Sequence, residues 1–325
     1  MKKNILNLCI IFSFLIILVE VFVHKILISN TIAYSLHLWV TSLIPTMFPF
    51  FVISDILIQY HVTNYIPKVI KNAFCKLFCV SENAVTIFFL SCIGGFPSNA
   101  RNTRSYYDLH LISRKEAEHI LTFTHFSNPI FILSTVSVFF LHQERYGGII
   151  LFSHFIGNIL IGLFFRKYNT PSSNYTLTNE KSQNFSFLFI RAIKNAIDTL
   201  LLILGTLTSF LIVSSLIIQA LHLPAYPGTI LKGILEMTMG IKELSLLPIS
   251  AIYKIVITTM FLSFGGLSVH LQVLSQIADT DISYLPFFFA RVIHALLSGI
   301  IVYLLYLMVF YFFCMLKYFI LFWFW

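Results

Sequence analysis

Apolar residues fall in long runs separated by short polar loops. A stretch of about 20 apolar residues can cross the hydrocarbon core of a bilayer as a helix. By that measure 5–23, 36–59, 147–165, 195–221 and 284–309 are predicted spans. A further run, 119–141, is interrupted at Asn128-Pro129. Three elements are shorter or split: 84–98, 228–240 and 249–277, the last divided by Gly265-Gly266. The pattern predicts an all-α polytopic membrane protein.

The one strongly polar linker, 168–187, separates two halves that share an order of parts. Each half opens with a span, 36–59 or 195–221, followed by a short amphipathic piece, 65–80 or 228–243. Each then has a Gly-Gly element, a helix hairpin and a closing span. The predicted organisation is an N-terminal anchor helix (1–28), a first repeat (30–167), a cytoplasmic linker (168–187), a second repeat (188–310) and an apolar tail (311–325). Lys2 and Lys3 precede an apolar stretch, but Val21-Phe22-Val23-His24-Lys25 offers no small-residue cleavage site, so an uncleaved anchor is expected. Asn174-Tyr175-Thr176 matches a glycosylation acceptor but falls in the linker.

Positive charge on the cytoplasmic side decides between topologies. If 84–98 crosses fully, Arg101, Arg104, Arg114, Lys115 and the basic residues from Arg166 to Lys194 all face outward. If both Gly-Gly elements are re-entrant, 15 of the 21 Lys and Arg residues lie inside and five outside, with Arg291 within a span. The second topology is expected. It sends one hairpin in from each face, the inverted repeat of many secondary transporters.

Composition agrees with a membrane protein. The chain of 325 residues is 58% hydrophobic and 10% charged, where a soluble domain is nearer 25% charged. The net charge of +8 sits in loops between spans, which excludes a nucleic-acid surface. The five cysteines imply no disulfide framework; Cys75 and Cys79 share a helix face without further zinc ligands. No metal, cofactor or catalytic constellation is expected, and the chain is read as a non-enzyme.

Candidate chemistry gathers at helix breaks. Freed backbone at membrane depth is tolerated only against protein or a watery cavity. The first Gly-Gly element, Ser91 to Arg101, brings Gly94, Gly95, Ser98, Asn99 and Arg101 together, and Pro97 enforces the break. The second, Leu262 to Gln272, brings Gly265, Gly266, Ser268, His270 and Gln272. These groups suit an anion or a polar ring; close helix packing through small residues is the alternative. At Thr124-His125-Phe126-Ser127-Asn128-Pro129, Ser127 or Asn128 can cap a helix whose first turn holds Pro129. Arg291 lies within a span, where a charge needs a partner or a cavity. Glu236 or Asp198 is its expected counter-ion or the carrier of a coupling proton. The two Gly-Gly elements are expected to meet near the midplane, with Arg101 or Arg291 close by.

Several segments resemble the sporulation integral membrane proteins of the YlbJ/SpoVV type. They are Leu38 to Phe51, Gly94 to Arg101, Ser113 to Glu118, Phe123 to Phe131, Gly233 to Ile241, Phe264 to Gln272 and Leu285 to Arg291. Their order is kept over about residues 30–310. The resemblance implies the nucleoside-recognition Gate group, hence Gate-type inverted repeats with broken or re-entrant hairpins. It also implies an endospore former and movement of dipicolinic acid across the outer forespore membrane. Arg101, Arg291, the amides after Gly95 and Gly266 and the cap at Asn128 would suit the carboxylates of that planar dianion. Ser98-Asn99-Ala100-Arg101 is bulkier than the Gly-Pro-Ala-Gly-like residues often found there, a departure that bears on the substrate.

The expected function is therefore transport of a small organic anion, with the lipid bilayer as surroundings and a homo-oligomer left open. One alternative is a nucleoside or nucleobase carrier, with Phe96 and Phe126 stacking on a base while Asn99 and Gln272 read its edges. The other is a non-transporting assembly factor.

Overall fold

The computed structural model describes residues 2–168 and 184–323, with side chains described for 5, 7–168 and 184–309. Most of the 168–187 linker, with Asn174, lies outside the described residues, as do the side chains of the tail. Every regular element among the described residues is helical.

The first half comprises α1 (Lys2–Val23), α2 (Lys25–Leu38), α3 (Ile44–Gln59), α4 (Lys68–Phe78), α5 (Glu82–Gly94), α6 (Ser98–Asp108), α7 (Arg114–Phe123), a wide helix Phe131–Phe140 and α8 (Arg145–Phe164). The second comprises α9 (Phe185–Ala220), α10 (Ala225–Leu235), α11 (Met237–Leu246), α12 (Ala251–Phe264), α13 (Gly266–Ile277) and α14 (Leu285–Trp323). Five helical runs are long and apolar enough to cross a membrane: Lys25–Gln59, Arg145–Phe164, Phe185–Ala220, Ala251–Ile277 and Leu285–Val309. Four of the five expected spans are found there, 36–59, 147–165, 195–221 and 284–309, while 5–23 is a shorter apolar helix. α1 behaves differently: helical hydrogen bonds run on through His24, at 2.9 Å to the Glu20 carbonyl and 3.0 Å from the Ile28 amide. No reversing loop separates it from α2, and its apolar side chains stay uncovered by the rest of the protein.

Contacts between loops define two ends of the bundle. At one, Arg104 pairs with Asp279, Tyr107 Oη donates to Asp281 at 2.6 Å, and the Ser283 amide and Tyr168 hydroxyl both donate to Glu118. The Arg104 hydrogen bond holds the Asp279 carboxyl below its usual range. At the other, His24 meets Gln219 at 3.0 Å and Tyr146 lies beside Tyr306.

The first half therefore runs span (α2–α3), hairpin (α5–α6), broken span (α7 to Phe140) and span (α8). The second runs span (α9), hairpin (α10–α11), broken span (α12–α13) and span (α14), in the opposite sense. This is the layout of an inverted repeat. The α5–α6 piece is re-entrant: Asn83, at the start of α5, donates to the Leu111 carbonyl just beyond α6 at 3.0 Å.

The second re-entrant element is not where the glycine pattern placed it. Residues 251–277 form one candidate span, and the loop after it reaches the Arg104 end. The hairpin is α10–α11, with its tip at Glu236. By order, Glu236 corresponds to Gly95, and Gly265-Gly266 correspond to Thr124–Asn128. The cause is local: Gly233 and Gly240 face one another so closely that a methyl at Gly240 would stand 2.2 Å from the Gly233 Cα. Lys232 and Glu243 pair across the hairpin. Gly240→Ala should force these backbones apart and lower the unfolding temperature in detergent. Gly228→Ala, whose methyl finds only Ile218 at 3.7 Å, should leave it unchanged; equal temperatures would refute the close crossing.

Two cores hold the hairpins in place. One joins the spans of both halves around Phe51, Phe131, Ile241 and Leu262. The other packs α4, α5 and α7 through stacked aromatic rings, Phe78 on Phe123 at 4.9 Å with Phe74 and Phe88 alongside.

Candidate functional site

Helix breaks leave amides and carbonyls without intrahelical partners. The four breaks of this fold converge. A methyl at Gly95, the first hairpin tip, would lie 2.6 Å from the Asn128 amide nitrogen. The next residue, Phe96, stacks on His125 with ring centroids 4.9 Å apart. His125 Nε2 stands 3.2 Å from where a methyl on Gly265 would be, and a methyl on Gly266 would meet the Met237 amide at 2.9 Å. The Gly-Gly elements thus gather at one place, joined through residues 125–128 and the Glu236 tip.

Each break is stabilised in its own way. Asn128 caps the helix that follows it: its Oδ1 accepts from the Ile130 and Phe131 amides at 2.9 and 3.3 Å. Its Nδ2 donates to the Thr46 and Ile93 carbonyls, tying the break to α3 and to the first hairpin. Glu236, 3% exposed, caps α11 by accepting from the Met239 amide at 2.8 Å. The helices beginning at Ser98 and Gly266 have no side-chain cap. Those two N-termini belong to the two Gly-Gly elements; at the first the Ser98 amide turns back to the Gly95 carbonyl at 2.9 Å, and the first-turn amides beyond it, with the positive dipole ends, suit an anion.

Polar groups without partners surround them. Asn99 Nδ2, His125 Nε2 and Ser127 Oγ are buried and unpaired. A cavity of about 30 Å³ lies between the tips, lined by Phe96, Met47, Glu236, Thr238, Ser268 and Gln272. Gln272 also donates to Thr206 Oγ1 at 2.9 Å, and Ser98 Oγ donates to the Gly95 carbonyl. Gly94 is packed against Ser98.

The two arginines stand apart. Arg101 points away from the tips to pair with Asp55, donating also to the Phe51 carbonyl at 3.0 Å and to Thr199 Oγ1 at 3.3 Å. Asn195 holds the other Asp55 oxygen at 3.0 Å. Asp55 and Asn195 of this cluster line a cavity of about 290 Å³ together with Asp108, Ser105, Gln59 and Arg191.

Arg291 is fully buried, but carbonyls rather than a carboxylate receive it. It donates to the Thr122 and His125 carbonyls, to Asn158 Oδ1 at 3.0 Å and to His294 Nδ1 at 2.8 Å. These carbonyls are ones the end of α7 leaves free, so a cation there also meets the negative end of the helix dipole. Neither expected counter-ion reaches it: Glu236 is used at its own tip, and Asp198 faces outward on α9.

A buried network around Arg291 was absent from the sequence expectations. His154 Nε2 accepts from the Ser127 amide at 2.9 Å, and its Nδ1 lies 3.0 Å from Ser263 Oγ. His294 Nε2 lies 2.9 Å from the His154 carbonyl, and Ser298 donates to Ser263. Asn158 Nδ2 donates to the His125 carbonyl at 2.7 Å. The signal was present as polar positions on one face of apolar helices: 154 and 158 on α8, and 291, 294 and 298 on α14.

Oppositely running halves, broken spans and re-entrant tips around a central cavity define a multi-pass helical membrane protein. No protein-family model matches the chain, and no solved structure matches it. The chain is similar to Sporulation integral membrane protein YlbJ of Bacillus subtilis (strain 168), with 26% identity over 307 residues, 83% of this chain and 75% of that protein. The likeness agrees with the resemblance to YlbJ-type proteins read in the sequence; it does not bear on the wider Gate group.

Proposed function

We propose that the protein is a sporulation membrane transporter for a small organic anion, dipicolinate being the favoured cargo, acting in the outer forespore membrane. The observation that carries this reading is the convergence of two uncapped helix N-termini, at Ser98 and Gly266, beside the unpaired polar atoms of Asn99, His125 and Ser127. Open amides, a dipole end and neutral donors favour a carboxylate without a fixed counter-ion. Phe96 and Met47 supply apolar walls for a flat ring. The Bacillus subtilis relative, named as a sporulation integral membrane protein, supports the setting.

The central cavity of about 30 Å³ has room for water but not for an organic acid. Binding therefore requires the hairpin tips to part. The larger polar cavity, which reaches Asp55, is the approach, with the ion pair of Asp55 and Arg101 as the barrier between it and the tips.

The test is uptake into vesicles reconstituted with the purified protein. Saturable dipicolinate uptake, undiminished by excess nucleoside, is expected. Uptake of nucleoside with no effect of dipicolinate would overturn the reading in favour of a nucleoside carrier. No solute movement would favour an assembly role.

A further inference from the structure

Four histidines surround the breaks, and hydrogen bonding sets the state of three. His154 accepts a backbone amide at Nε2, so its proton sits on Nδ1 and is given to Ser263. His294 accepts from Arg291 at Nδ1, so its proton sits on Nε2 and is given to the His154 carbonyl. His270 faces the Phe264 carbonyl at Nε2, which only accepts, and takes the Tyr284 hydroxyl proton at Nδ1. Each ring is neutral with both nitrogens in use. A further proton on His154 or His294 would replace an existing hydrogen bond by a clash between donors, whereas on His270 it would only turn the Tyr284 hydroxyl from donor to acceptor.

His125 differs. Its Nδ1 lies 3.3 Å from Asn99 Oδ1, an acceptor, so Nδ1 carries the proton. Its Nε2 has no partner and is fully buried. That nitrogen is aimed at the uncapped start of α13, 3.2 Å from the place of a Gly265 methyl. The neutral ring therefore holds a buried lone pair beside the start of α13 with no hydrogen bond to it, so Nε2 is left unsatisfied.

Resting on the transporter reading above, we propose that His125 couples anion binding to proton uptake: a proton binds Nε2 as a carboxylate docks between His125 and the first amides of α13. A buried imidazolium alone is costly, and more so near Arg291, which donates to its carbonyl. A buried carboxylate alone is costly for the same reason. Together they form an ion pair with charge-assisted hydrogen bonds, and Asn99 Nδ2 supplies a further donor. The groups facing His125 are Asn99 from α6, His154 from α8, His270 from α13 and Arg291 with His294 from α14, with Glu236 beyond Gly266 at the second tip. Of these Glu236 and His270 compete for the proton, since the Tyr284 hydroxyl at His270 Nδ1 can accept as well as donate. Release of the anion on the opposite side frees the proton, so the two move in the same direction.

The test uses the purified full chain in detergent with dipicolinate as the probe. Calorimetry in two buffers of different ionisation enthalpy reads protons taken up, in mildly acidic and in neutral solution. Uptake of about one proton per anion is expected, with affinity falling up to about tenfold per pH unit above the free-state pKa. His125→Gln keeps a donor near Nε2 but cannot titrate, and should bind with no proton uptake; in Glu236→Gln, whatever its affinity, each anion bound should still bring in about one proton. Uptake lost in Glu236→Gln and kept in His125→Gln would overturn the assignment. Wild-type binding that is independent of pH and takes up no proton would overturn proton coupling and leave anion transport standing. Absence of dipicolinate binding at every pH would overturn the transporter reading and this inference with it.

Discussion

Gly95→Ala is expected to destroy the first hairpin tip and, with it, solute binding. Gly95 has φ 74° and ψ −176°, a region that is almost confined to glycine. Holding a residue with a Cβ there costs roughly 1–3 kcal/mol. The new methyl would also sit 2.6 Å from the Asn128 amide nitrogen and 2.8 Å from its Cβ. Neither is the free end of a flexible side chain, so the tip or the 125–128 segment must shift, at a further cost of about 1–3 kcal/mol. That shift acts on Asn128, which holds the Ile93 and Thr46 carbonyls together and caps the following helix. Phe96 would lose its stacking on His125. Gly148→Ala is the control, because a methyl there meets nothing within 4 Å. Thermal unfolding in detergent and dipicolinate binding should both be impaired in Gly95→Ala and unchanged in Gly148→Ala. A Gly95→Ala protein with wild-type unfolding and binding would show that the tip does not pack on Asn128.

How much of this was legible depends on what kind of residue marks each feature. Spans were readable because apolar length has a direct meaning in a bilayer, and most of their limits fall within a few residues of the helices. Three of the four breaks were readable from Gly-Gly, Pro97 and Asn128-Pro129. The pairing of breaks between halves was not. A re-entrant tip needs a reversal and a cap, and the two halves meet that need with different residues: Gly95 and Pro97 in one, the N-capping carboxylate of Glu236 in the other. Gly233 and Gly240, which permit the tight crossing of the second hairpin, look in sequence like ordinary glycines of an apolar helix. Matching by glycine alone therefore aligned a tip with a broken span.

The site shows the same division. Arg291 and Glu236 were singled out by their cost in an apolar run and are buried, but Asp198 faces outward, His154 and Asn158 were missed and the partners were misjudged. Sequence reasoning pairs a cation with a carboxylate because both are visible as letters. Carbonyls released by an unwound segment are not visible, yet at membrane depth they must be satisfied. Arg101 did find a carboxylate, Asp55, from a helix not considered for it.

Arg291→Ala is accordingly expected to cause a large loss of stability rather than a selective loss of transport. Truncation leaves the Thr122 carbonyl, Asn158 Oδ1 and His294 Nδ1 without their Arg291 donor, and the His125 carbonyl with Asn158 alone. A buried group stripped of its partner costs about 1–3 kcal/mol, and several are exposed at once here. The effect should concentrate in the broken span. Asn158 and His294 hold the His125 and His154 carbonyls, and His154 holds the Ser127 amide, so the loss passes along the network to both sides of the break. Arg291→Lys keeps the charge but cannot serve Thr122, His125, Asn158 and His294 together, since its three donors radiate from one point rather than lying in a planar fork. Its unfolding temperature should lie between those of Arg291→Ala and the wild type. Hydrogen exchange at residues 122–131 should accelerate in both variants, with the α9 amides nearly unchanged. A cation that serves mainly as a solute ligand would give another pattern: wild-type unfolding and exchange in Arg291→Ala, with weakened dipicolinate binding alone. That result would return Arg291 to the solute site and leave the freed carbonyls of α7 to be satisfied by other groups.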